Sequence, residues 1–92
     1  MLRKFIIERE VPGIGTKDAD GFREIARKSN QALARLGTDI QWLESFVIAD
    51  KTYCVYLATD EAVIRDHAAS SGFPANRIEA VRTVLDPSTA AA

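Results

Sequence analysis

The chain has 92 residues, 47% of them hydrophobic and 27% charged, with a formal net charge of −1. This length holds one globular domain, and the charge balance offers no basic excess for nucleic acid. A lone cysteine, Cys54, excludes an intrachain disulfide and a cysteine-cluster metal site, and the Phe5-Ile6-Ile7 run is too short for a signal-peptide core or a membrane span, so the expected compartment is the cytoplasm.

Residues 4–10 are rich in β-branched and aromatic side chains and read as a strand that stops at Val11-Pro12-Gly13. After a loop with Gly13 and Gly15, Asp18 and Asp20 offer N-terminal acids to a helix. Its apolar face is Phe22, Ile25, Ala26, Ala32, Leu33 and Leu36, and Gly37 ends it. Residues 39–48 alternate as a strand, Ala49-Asp50-Lys51 turns the chain, and residues 52–58 return as a second strand of the hairpin. Thr59 is the expected cap of a second helix, with Asp60 and Glu61 in its first turn, where the helix dipole favours acids. Val63, Ile64, His67, Ala68 and Ser71 share a face of that helix, and Gly72 and Pro74 close it. Ile78 to Leu85 reads as the last strand. The domain is thus expected to span residues 1–86, with a loose tail at 87–92.

The order β-α-β-β-α-β predicts an α+β, ferredoxin-like fold. Right-handed crossovers and the need to bury apolar sheet surface give an antiparallel sheet of order 4-1-3-2 with both helices on one face. A chain of this size buries only roughly 60–65% of its unfolded surface. The strand at 39–48 is apolar on both sides, and a monomer would expose one of them. We therefore expect a homodimer in the manner of a dimeric α+β barrel, with the uncovered faces or edges meeting.

Alternation assigns Phe5, Ile7, Leu43, Val47, Val55, Leu57, Val81 and Leu85 to the helix side. It gathers Glu8, Trp42, Glu44, Cys54, Tyr56 and Arg82 on the other. That second group could line a pocket for a small apolar or anionic ligand, with Glu8, Tyr56 and His67 moving protons and Arg82 holding an anion. The blander assignment is a structural ion pair of Glu8 or Glu44 with Arg82. His67, the single histidine, is either packed in the core or a metal ligand beside carboxylates, where a nitrogen-oxygen set suits nickel, zinc or copper. No H-E-x-x-H, P-loop or G-x-G-x-x-G motif occurs. That favours a binding protein over an enzyme.

The segments FIIEREVPG, IQWLESFV, TYCVYLA and HAASSGFPANRIEAVRTVLDPSTA resemble a family of small bacterial proteins that includes nickel-binding members. The resemblance runs from Lys4 to about Thr89. It implies a ferredoxin-like subunit, a homodimer and nickel binding for sequestration or homeostasis. His67 matches the histidine that opens the family's H-A-x-x-x-G-F-P-A block, and Glu8 and Glu44 match its acidic strand positions. The resemblance therefore makes His67, Glu8 and Glu44 the candidate metal ligands, with nickel as the ion.

Overall fold

The computed structural model describes residues 1–91. The elements run β1 (Arg3–Glu10), α1 (Ala19–Leu36), β2 (Ile40–Val47), β3 (Lys51–Ala58), α2 (Glu61–Ser71) and β4 (Arg77–Ala80). The sheet has the order β2-β3-β1-β4, with every pair antiparallel. Seen from the opposite edge this is the expected 4-1-3-2 arrangement. The fold is the ferredoxin-like α+β type.

The helix ends follow from local chemistry. The Asp18 carboxylate accepts from the Gly21 N–H at 2.8 Å and starts α1. At α2 the cap is Asp60, one residue beyond the expected Thr59, accepting from the Val63 N–H at 3.0 Å. Thr59 instead ties its own N–H to the Asp39 carbonyl at 3.0 Å. Gly72 ends α2 at φ 80°, a left-handed conformation that favours glycine. Gly15 matters for a different reason. Its N–H donates to the Ala49 carbonyl at 3.0 Å, and a Cβ there would lie 2.7 Å from the Ile48 carbonyl oxygen, so the loop after β1 packs against the hairpin turn.

The core lies between the helices and one face of the sheet. Phe5 and Ile7 of β1, Ile40 of β2, Cys54, Tyr56 and Ala58 of β3, Ile78 of β4 and Ile64 of α2 form it. This placement reverses part of the expected face assignment. Cys54 and Tyr56 point toward the helices, and Val55 and Leu57, their neighbours in β3, are only half-buried on the other face. Every position from Tyr53 to Ala58 is apolar or aromatic, so alternation of polarity carries no phase there. In β2 a bulge between Trp42 and Glu44 leaves Leu43 out of the pairing. Trp42 therefore joins the helix side across from Tyr56, Ser45 follows across from Cys54, and Glu44 stays on the open face.

The last strand is also shorter than expected. Ala80 pairs with Phe5, and the Val81 N–H still reaches the Lys4 carbonyl at 2.8 Å. Beyond that, only Arg3 of β1 is left opposite the chain, and the ladder ends. Val81 is only half-buried, and Arg82 and Leu85 are exposed outside the sheet; none joins the positions assigned to them. Residues 87–91 wind as a 3-10 turn that buries nothing, and Ala92, the last residue of the expected tail, lies outside the described residues. No helix among the described residues is long and apolar enough to cross a membrane.

Candidate functional site

Period-2 alternation along β1 sends Phe5, Ile7 and Arg9 to the helix side. The first two are core. Arg9 comes near the end of the strand and lines a cavity of about 280 Å³ between the sheet and the two helices. Its walls include Phe22, Ile25, Ala26 and Ser29 of α1, Trp42 and Ser45 of β2, Thr52, Cys54 and Tyr56 of β3, His67 of α2, and Phe73. Most of the lining is apolar, with polar groups gathered around Arg9 and His67, the composition common to small-molecule sites.

The polar groups form one connected set. Arg9 is 4% exposed; its Nη1 donates to the Pro74 carbonyl at 2.7 Å and its Nη2 to the Tyr56 hydroxyl at 3.4 Å. The guanidinium carbon also sits 5.9 Å from the centre of the Tyr56 ring, a cation–π distance. The Tyr56 hydroxyl lies 3.0 Å from His67 Nε2, and Ser29 Oγ lies 3.3 Å from the same nitrogen. Because Arg9 donates to the Tyr56 oxygen, the phenolic proton is free to go to His67 Nε2. In the tautomer that accepts this proton, the imidazole N–H is at Nδ1; that nitrogen is buried and has no partner among the described residues. Nearby, Thr52 Oγ1 and Cys54 Sγ are 3.6 Å apart, and Trp42 Nε1 donates to Ser45 Oγ at 2.9 Å.

Burial first, and then the positive charge of Arg9, pull the His67 pKa down to about 4. The imidazole is therefore neutral at neutral pH. Burial raises the Tyr56 pKa, with Arg9 acting in the opposite sense. At neutral pH the set thus carries one positive charge, on Arg9, and two uncharged rings.

The expected site residues are divided by the sheet. Tyr56 and His67 meet in the cavity. Glu8 and Glu44 lie on the open face, and Glu8 is paired there with Lys51 at 3.6 Å. Arg82 lies outside the sheet, and the arginine that lines the cavity is Arg9. Arg9 was legible in principle, since it continues the Phe5-Ile7 alternation by one more step. Ser29 likewise falls one helical turn from Ile25 and Ala26. Polarity hid both.

The fold and this site define a ferredoxin-like α+β domain with a partly open pocket between helices and sheet. A family model for nickel-responsive SCO4226-like proteins matches residues 5–81, and the chain belongs to that family. The crystal structure of SCO4226 from Streptomyces coelicolor A3(2) shares the fold at a TM-score of 0.71 and 17% identity, covering 89% of this chain and 99% of that one. None of the curated proteins searched matches the sequence.

The family's link to nickel can be set against the donor atoms. Among the described residues no three His, Cys, Asp or Glu side chains come together. His67 Nε2 is engaged by Tyr56 and Ser29, and the adjacent Arg9 charge opposes a second cation. Glu8 and Glu44 share a face but stand on β1 and β2, two strand spacings or roughly 10 Å apart. The trio His67, Glu8 and Glu44 therefore makes no single site within one protomer, and the cavity does not fit a metal dication.

Proposed function

We propose that this chain serves nickel homeostasis in the cytoplasm as a homodimer that binds and sequesters the ion. The family match over residues 5–81 carries this reading. The open face supports the dimer. Ile6 and Phe46 are 41% and 54% exposed there, with Val55 and Leu57 half-buried beside them. A second copy laid on this strip would cover it. The same face carries Glu8 and Glu44, so the pairing of two protomers doubles the available carboxylates, and nickel would be bridged between copies. In the Irving–Williams order nickel outranks manganese, iron and cobalt for such ligands.

The test is calorimetric titration with nickel chloride, alongside sedimentation for the oligomeric state. Wild type should sediment as a dimer and bind nickel. His67→Gln should bind it equally, and the double variant Glu8→Gln/Glu44→Gln should bind it less. A wild-type protein that takes up no nickel overturns the metal reading, and one that sediments as a monomer overturns the bridged site.

The contact between Tyr56 and His67 on the cavity wall favours a second reading, a cofactor-free enzyme for a small organic molecule. A neutral imidazole that can accept the phenolic proton is an acid–base pair. Incubating a metabolite extract with wild type and with Tyr56→Phe tests it. Identical product profiles would remove it.

A further inference from the structure

The cavity contains a charge that no other charged group among the described residues balances. Arg9 is 96% withdrawn from solvent, as the complement of its 4% exposure. Among the described residues, none of the ion pairs includes it. Its two hydrogen bonds go to neutral acceptors, the Pro74 carbonyl and the Tyr56 hydroxyl. These satisfy two of the five guanidinium N–H groups and none of the charge. A buried cation without a counter-ion is costly, and burial of this kind persists where an anion completes it. His67 Nδ1 adds a second buried polar atom with no partner. With the proton on that nitrogen, the site has an unbalanced cation and an unused donor, and both call for an acceptor.

We propose that the cavity binds a small aromatic monocarboxylate, its carboxylate on Arg9 and its ring among Phe22, Trp42 and Phe73. The size fits this class. A dry cavity of about 150 Å³ holds benzene, and drug-sized ligands need roughly 300 Å³ or more. The space here, about 280 Å³, suits one ring with a short acidic arm. The planar guanidinium presents parallel N–H groups that match a carboxylate in a way a lysine would not. A metal dication is disfavoured by the same charge. The site is thus separate from nickel binding, and it requires no turnover. It gives the second reading a ligand class but stands as a binding site alone.

Trp42, the single tryptophan, lies in the cavity wall and supplies the readout. Metal-free protein with a chelator present is titrated with benzoate, phenylacetate and 3-phenylpropionate, following Trp42 fluorescence and the thermal midpoint Tm. Benzamide, phenylacetamide and 3-phenylpropionamide are the matching uncharged controls. At least one acid should quench or shift Trp42 emission and raise Tm, and its amide should bind about tenfold more weakly or worse. Arg9→Gln should lose the acid by a similar factor, and Arg9→Lys should recover part of it. Ala26→Phe, which fills the cavity and leaves Arg9 in place, should abolish binding. The proposal is overturned if all three acids fail to bind, if acid and amide bind alike, or if Arg9→Gln or a folded Ala26→Phe variant keeps the wild-type affinity. Addition of nickel should leave the acid affinity unchanged, so failure of the metal reading and failure of this one are distinguishable.

Discussion

Glu8 and Arg9 are neighbours on β1 and point to opposite sides of the sheet. Glu8 meets Lys51 at 3.6 Å with both side chains partly in water. Such a pair contributes little to stability, because solvent and salt already satisfy each partner. Arg9 has no such help and must be held by a carbonyl, a phenol and the face of an aromatic ring. The same strand therefore carries two kinds of polar residue. On the open face a charge is inexpensive and says little about function. On the covered face each polar atom needs a partner, and the two that lack one, the Arg9 charge and His67 Nδ1, indicate where a ligand would complete the site.

The largest effect should come from shaving the covered face. Ile7 is 0% exposed and Ile6, beside it, is 41% exposed. Ile7→Ala should lower the unfolding free energy by about 3–4 kcal/mol, the transfer term plus a residual cavity. Ile6→Ala should lower it by less than about 1 kcal/mol in dilute protein. Urea denaturation over a range of protein concentrations measures both. If the open face is a dimer contact, the Ile6→Ala penalty grows with concentration while the Ile7→Ala penalty barely moves. Equal penalties at high dilution would break the distinction between the faces.

The next effect is the acid sensitivity of the buried cluster. An unfolded chain protonates its imidazole near 6.5, whereas folded His67 is held down to about 4 by burial and by Arg9. Between those values the unfolded state binds the proton and the folded state does not. The stabilisation from a neutral His67 is therefore complete above about pH 6.5, falls as the pH drops, and is lost as it passes through about 4. The full loss is on the order of 3 kcal/mol, at about 1.4 kcal/mol for each tenfold change in proton activity. Urea midpoints from pH 7 to pH 4 measure it, and the difference between wild type and His67→Gln isolates it from the surface carboxylates. Parallel curves for the two proteins would show that His67 is not held neutral.

Much of the fold was legible because its signals are local and repeated. The hairpin turn at Ala49-Asp50, the Asp18 cap and the glycines after both helices each announce an element boundary. The faces of the strands were harder to read. In β3 nearly every residue can be buried, so the phase is set by pairing with β1 and not by composition. In β2 the bulge at Leu43 reverses the phase midway, and no residue type announces it. The candidate site inherited both errors. Tyr56 and Trp42 were placed with Glu8 on the open face, although His67 stands on a helix that covers the other face. The cavity resolves that conflict by bringing Tyr56 across to His67. Arg9 was hidden by its charge, because an arginine at the end of a strand reads as solvated unless the helices above it are known.

The smallest effect concerns the open face and separates stability from function most cleanly. Glu8→Gln removes one charge from the pair with Lys51, whose side chains are 21% and 38% exposed. Solvent screens that interaction, and the long lysine loses side-chain entropy when held in it, so the change in unfolding free energy should be within about 0.5 kcal/mol. The substitution is nearly isosteric and should leave the sheet unchanged. Yet the same carboxylate is half of the pair assigned to nickel in each copy. Titrated with nickel, Glu8→Gln should therefore lose affinity while its urea midpoint stays at the wild-type value. If the unfolding free energy falls by more than about 1 kcal/mol, Glu8 is a structural residue and its share in metal binding has to be reassessed. If neither property moves, the open-face carboxylate is only a solvated charge, and the contrast between Glu8 and Arg9 becomes sharper, with ligand recognition confined to the covered side.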